Sequence, residues 1–329
     1  MTQKSHSKLL TVIISMVLPG SGHFYLGYPG KAIILLGSLL ILNYVLMYIS
    51  TIYVTPLFII ISLLIFLALY LYIIYDVLQI IKHKKTIYKK YSHWIFTIFL
   101  YIPLMYLFIL LIKNIMPIRT FSMPAISMED TVLKNDYLVA VRKDSLKRGQ
   151  LSIFRYPNNP SIFYLKRCVA IENDEIIYMD KQLLIHFHEG DQYILNHYES
   201  NQITTIDNKL WVINPYIHQY PTIKYDTNET TSFEYLTTMH NYKREIGMTF
   251  KKNIHNKSHF FYTKVSPQHF FMMGDNREHS NDSRFWGSVN KNLLFGEPNM
   301  IYFHLDKNWI INWDRIGIKL NTNIDKNSI

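Results

Sequence analysis

A single cysteine, Cys168, stands among the 329 residues, so no disulfide can close within the chain. That scarcity does not assign a compartment, because an oxidising one permits disulfides without requiring them. No internal repeat is visible. A nucleotide-binding loop is also missing: the glycine-bearing stretch PGSGHFYLGYPG at residues 19–30 follows no predicted strand and lacks a terminal Gly-Lys-Ser/Thr. Metal ligands do not cluster. His186 and His188 alternate along one predicted strand and share a face, with no further ligands gathered beside them. The basic N-terminus and the apolar run Leu9–Leu18 imitate a secretory leader, but Pro19-Gly20-Ser21-Gly22 offers no convincing small-x-small cleavage pattern. That run is also shorter than the roughly 20 apolar residues a bilayer crossing takes. An interfacial or re-entrant segment is the expectation.

Acidic residues are outnumbered, 24 Asp and Glu against 34 Lys and Arg, for a net charge of +10. Such an excess permits nucleic-acid binding. Here much of it flanks apolar segments, where membrane topology explains it better. Residues 1–30 read as a cytoplasmic or interfacial segment, residues 31–116 as a membrane anchor, and residues 117–329 as a polar, aromatic-rich domain. Three spans are predicted in the anchor, at 32–54, 57–81 and 94–112, with Thr55-Pro56 making a tight helical hairpin of the first two. The dense basic loop from Lys82 to Lys90 belongs on the cytoplasmic side by the positive-inside tendency. The third span then delivers everything after Met116 to the far face. Asn43, Asp76 and Pro103 in or beside the spans raise a transport path, but one acid near a cytoplasmic end more often serves as an anchor.

In the soluble half, strands are predicted at Tyr137–Val141, Leu151–Tyr156, Ile162–Ile171 and Phe270–Met273, separated by turn-forming runs such as Pro157-Asn158-Asn159-Pro160. Gln182–Ile185 and Lys209–Ile213 add strand-like runs within a less regular region at about 180–262. Ser127 sits at a bend between Pro124 and the first of these strands. Most turn serines bond only local backbone, and a serine exposed there can also reach a bound carbonyl. Lys166 lies inside a nearly continuous apolar strand beside Tyr164, Leu165 and Cys168. Desolvated, its amine would be neutral enough to take a serine proton. Snorkelling to water, it would be a bland strand lysine. Spacing alone does not separate the two. The run Gly274–Gly287 interleaves Asp275, Arg277, Asp282 and Arg284 with Ser280 and Ser283, which reads as a hydrogen-bonded brace.

These blocks together (Met123–Arg142, Arg148–Tyr156, Tyr164–Ile176, Gly274–Gly287, and the tail Gly296–Ile316) resemble bacterial type I signal peptidase, a membrane-bound Ser–Lys serine protease family. The resemblance implies Ser127 as nucleophile with its own amide as oxyanion donor, Lys166 as general base, Ser280 as the hydroxyl that orients the base, and Asp282 with Arg284 as a supporting ion pair. It implies small substrate pockets lined by Phe121, Met123, Pro124, Ala125, Met128, Val132, Tyr164 and Leu165. The expected fold is a membrane protein: helical N-terminal spans, then a mostly β extracytoplasmic catalytic domain of coiled antiparallel sheets, carrying a variable insertion at about 180–262.

The implied activity is removal of signal peptides from exported preproteins after Ala-x-Ala-like sites, with no metal or cofactor. The implied location is the bacterial inner membrane, multi-pass, with the catalytic domain periplasmic. The expected partners are signal peptides, the lipid bilayer and the secretion translocon, and no nucleic acid. Two rivals are a catalytically silent peptide-binding relative and a specialised conjugation or pilus-type processing peptidase. Two departures stand out. The usual Ser-Gly before the nucleophile is Ala125-Ile126, which removes a hydroxyl that helps the oxyanion in many relatives. The Lys-Arg block continues Cys168–Asp174 in place of a Gly-Pro-Gly-Asp-like turn.

Overall fold

In the computed structural model the described residues are 8–52, 56–83, 101–115, 117–225, 231–252 and 259–320. They divide into two compact units, residues 1–117 and 118–329.

The first unit is helical. α1 (Lys8–Val17) and α2 (Ser21–Tyr25) precede the long α3 (Pro29–Ile52) and α4 (Pro56–His83), and α5 covers Ile102–Ile115. Two windows, Pro29–Leu46 and Ile60–His83, are long and apolar enough to cross a membrane. Many of the large apolar side chains of α3 and α4 are exposed, Ile34, Leu57 and Leu63 among them. The predicted third span is only partly seen: its first residues, 94–100, and most of the basic loop, 84–90, lie outside the described residues. The glycine-bearing stretch makes a tight reversal. Gly20 has φ 88°, and a Cβ there would sit 2.8 Å from the Ala32 carbonyl oxygen. A Cβ on Gly22 would overlap Ser15 Oγ at 1.8 Å, so glycine is what lets α2 press onto α1. Asp76 is more than an end anchor. Its carboxylate meets His23 Nε2 at 2.7 Å and Lys31 Nζ at 2.5 Å, tying α2 and α3 to α4.

The second unit holds two antiparallel sheets. β1 (Ile118–Ser122), β2 (Asp136–Arg142), β3 (Leu151–Tyr156), β4 (Asn159–Ala170), β11 (His269–Met273), β12 (Val289–Asn290) and β13 (Leu294–His304) form a seven-stranded sheet in the order β1-β2-β13-β3-β4-β11-β12. β5 (Glu175–Met179), β6 (Gln182–His186), β7 (Ile203–Ile206), β8 (Lys209–Ile213), β9 (Thr249–Lys252) and β10 (His259–Lys264) form a six-stranded sheet in the order β7-β8-β6-β5-β10-β9. The region expected to be a variable insertion thus supplies five strands of the second sheet, plus helices α6 (Asp191–His197) and α7 (Ser232–Asn241). Val169, Ala170, Phe271 and Met273 of the first sheet pack with Ile176, Tyr178 and Phe261 of the second in one core. β4 begins earlier than predicted, at Asn159, because Tyr156 pairs with Asn159 and only Pro157-Asn158 make the turn. Its burial rises along its length until every residue from Leu165 to Ala170 is buried, which is why its sequence stops alternating.

Two clusters pin the chain ends of the site. Asp136, fully buried, accepts from the Leu133 amide at 2.7 Å and faces His304 and Arg315, joining β2 to the tail of the unit. Arg148 forks onto Asp174 at 2.8 and 2.6 Å and also binds Glu189. Asp174 in turn accepts from the Ile171 amide, closing the turn that follows the Lys-Arg block. Asn173 takes the left-handed conformation there, φ 68°, which asparagine tolerates better than most residues. The departure from a glycine-rich turn therefore leaves the turn intact.

Candidate active site

Ser127 lies where the chain bends after β1. The Glu129 amide donates to the Ile126 carbonyl, and the Thr131 and Val132 amides to that of Met128, so residues 126–132 form a compact turn. The segment after β11 clamps it from outside. Asn276 donates its amide to the Ser127 carbonyl at 3.1 Å and its side chain to that of Ile126 at 3.2 Å. Gly274 lies so close that an added Cβ would fall 2.5 Å from the Ser127 carbonyl oxygen. The Ser127 amide donates to no acceptor among the described residues.

Lys166 reaches this bend from β4, where it pairs with Ser152 of β3. Its Nζ lies 2.5 Å from Ser127 Oγ, and both side chains are buried. Burial disfavours the ammonium form and brings the lysine pKa down to about 8 from 10.5. Asp282 pulls it upward, Arg284 pushes it downward, and Asp275 adds a smaller upward pull. The snorkelling alternative is set aside by the lysine being only 3% exposed.

The two acids nearest the lysine are both occupied by arginine. Arg284 Nε and Nη2 each lie 2.9 Å from an Asp282 oxygen, and both residues are fully buried. Asp282 also accepts from the Gly274 amide at 3.1 Å. Burial opposes its ionisation, but Arg284, Lys166 and that amide together hold its pKa below the usual carboxylate range. Asp275 takes Arg167 bidentately at 2.8 and 2.5 Å and the Thr131 hydroxyl at 2.6 Å. The brace expected in Gly274–Gly287 is present at Asp282–Arg284, while Asp275 takes its arginine from outside the segment. The partner of Asp275 is the residue next to the lysine, 108 positions away. A charged side chain in the buried half of an apolar strand was the available signal, since such a charge needs a partner.

Ser280 is buried, but its hydroxyl has no hydrogen-bond partner among the described residues, so the expected contact with Lys166 is not made in this state. Cys168, next in the strand after Arg167, is inert packing: burial pushes its thiol pKa up.

A cleft of about 280 Å³ opens over the two groups. Met123, Pro124 and Ala125 form one wall and Phe163, Tyr164 and Leu165 the other, with Ile162, His279 and Asn281 at its margins. Of the expected pocket residues, Phe121, Met128 and Val132 are not on its surface. The turn at 126–132 directs Met128 and Val132 downward into the core with Leu138 and Ile301, both fully buried. Phe121 packs edge-on against Phe163 and Phe295, each at 5.2 Å. These three support the walls from behind.

Residues 92–303 match the family described as signal peptidase, peptidase S26. A signal peptidase I of Helicobacter pylori is 30% identical over 193 residues, a match covering 54% of this chain and 66% of that protein. One from Buchnera aphidicola subsp. Baizongia pistaciae is 28% identical over 275 residues, covering 71% of this chain and 86% of that one. The chain thus spans just under two thirds of the length of the Helicobacter proteins it matches. A crystal structure of a signal peptidase I from Enterococcus faecalis V583 aligns with 46% of the chain at 18% identity and a TM-score of 0.26. With a matched region that includes the bend, the lysine strand and the brace, the chain belongs to the S26 signal peptidase family.

Proposed function

We propose that the chain is a membrane-bound serine endopeptidase that removes signal peptides from exported preproteins, with Ser127 as nucleophile and Lys166 as general base. The observation that carries this reading is the buried contact between Lys166 Nζ and Ser127 Oγ, made by an amine whose pKa lies near 8. A neutral lysine takes the Ser127 proton as Oγ attacks the scissile carbonyl. The resulting oxyanion faces the Ser127 amide. When the C–N bond breaks, the lysine proton passes to the departing amine, leaving the leader as an ester on Ser127. Water then gives a proton to Lys166 as it attacks that ester, and the proton returns to Ser127 as the leader acid departs. The Asp282–Arg284 pair keeps a neutralised carboxylate beside the base, where a lone one would hold the lysine protonated.

The apolar, shallow cleft supports small residues at the cut, and its continuity with Ser127 supports an Ala-x-Ala-like preference. The two long apolar helices support anchoring in the membrane. The proposal adds a third crossing before residue 117 and puts the β unit on the periplasmic side. Exposed Trp309, Ile310 and Trp313 give that unit an amphipathic patch suited to a lipid interface, near where leaders emerge from the translocon. The intact pair argues against a silent peptide-binding role.

The test is cleavage of a purified preprotein in phospholipid vesicles. The expected cut falls directly after the Ala-x-Ala site, and changing the alanine before the cut to leucine is expected to lower kcat/KM by about 100-fold or more. Cleavage that tolerates leucine there would contradict the small-pocket reading. No cleavage at all would sink the peptidase.

A further inference from the structure

A second cavity, of about 440 Å³, lies alongside the cleft. Its far wall is built by Tyr235 and Met239 of α7 and by Phe285, and its near wall by Glu278. His279 and Asn281 line both this cavity and the cleft over Ser127. The two therefore adjoin at these residues, as two compartments of a groove beside Ser127.

α7 is fastened to the catalytic loop at its first turn. The Ser232 amide donates to Glu278, the Ser232 hydroxyl donates to the Arg277 carbonyl at 3.2 Å, and the Tyr235 and Phe285 rings lie 5.7 Å apart. A capping box at Thr231 and Glu234 starts the helix, so Tyr235 and Met239, one turn apart, present the same face.

The geometry points to this cavity as the binding site for the preprotein just downstream of the scissile bond, taking an apolar side chain between Tyr235, Met239 and Phe285. The leader side of the substrate occupies the walls at 123–125 and 163–165, and the chain leaving the dyad on the other side passes over His279 and Asn281. This rests on the peptidase reading. It adds that a helix from the second sheet's segment reads the start of the mature protein, so selection extends to both sides of the cut.

Two substrates with the same leader residues separate the ideas: one ends in a chromogenic amide directly after the cut, and the other continues for six residues with leucine or phenylalanine among them. The quantity read is the ratio of kcat/KM, extended over short. Tyr235→Ala and Met239→Ala are each expected to lower that ratio about tenfold, the scale on which a lost apolar contact shows in specificity. Tyr235→Phe, which keeps the ring, is expected to restore it. Tyr235 is half exposed, so its truncation does not threaten the core. Wild-type cleavage with a ratio that neither alanine variant moves overturns the groove alone. Wild-type failure on both substrates overturns the peptidase reading and the groove with it.

Discussion

Lys166→Met is expected to abolish cleavage and, at neutral pH, to make the protein more stable. Loss of one member of a nucleophile–base pair costs on the order of 10⁴-fold or more in kcat. The stability gain follows from the same burial that the proposed base requires. The folded lysine releases its proton near pH 8, whereas the unfolded one holds it to about 10.5. Between those values the unfolded chain binds more protons, so stability rises with pH across that window. At pH 7 the wild type therefore forgoes about 3 kcal/mol relative to pH above 10.5. Methionine is close to lysine in length and does not titrate, so the variant escapes that penalty. Thermal unfolding in detergent across pH 7–11 checks it, with the advantage of the variant shrinking as pH rises. A variant less stable than wild type at pH 7 would mean the amine is well solvated. The wild-type rate itself is expected to climb about tenfold per pH unit up to about 8 and level off beyond, as the neutral base accumulates.

Arg284→Met is expected to cost about 3–5 kcal/mol, because it strands a fully buried carboxylate. The effect on chemistry is separate and can be read separately. Arg284 lowers the lysine pKa while Asp282 raises it, so removing the arginine leaves Asp282 pulling alone. The rising limb of the pH–rate profile then moves to higher pH, and activity at pH 7 falls. Arg284→Lys does not rescue, since an ammonium cannot hold both Asp282 oxygens as the guanidinium fork does. Adding Asp282→Asn to Arg284→Met removes the stranded charge and is expected to recover much of the stability, with the limb returning toward its original position. A limb that stays near pH 8 in the single variant would show that the pair braces the fold without tuning the base.

Much of this site was legible residue by residue. The bend serine, the lysine in an apolar strand and the Gly-Asp-Asn run followed by a polar loop all carry their chemistry in local sequence. Packing decided two further features. Met128 and Val132 were expected on the pocket wall and lie beneath it, because a turn one residue past Ser127 reverses which way its side chains face. The brace read in Gly274–Gly287 left the partner of Asp275 unassigned, and it is Arg167 from another strand. The region at about 180–262 supplies most of the second sheet, and its strands are too short and too polar at their ends to announce that common sheet in the sequence.

By itself the sequence determined the apolar lengths that suit a bilayer, the strand and turn positions around Ser127 and Lys166, and the side chains that the proposed acyl transfer would use, because each depends on neighbours within a few residues. Only the tertiary structure decided that the lysine is stripped of water and sits 2.5 Å from the serine, which arginine neutralises which acid, and that a helix from the second sheet's segment walls the far end of the groove. Desolvation and ion pairing are properties of what surrounds a group in space. Those surroundings are assembled here from segments as much as 150 residues apart around Ser127.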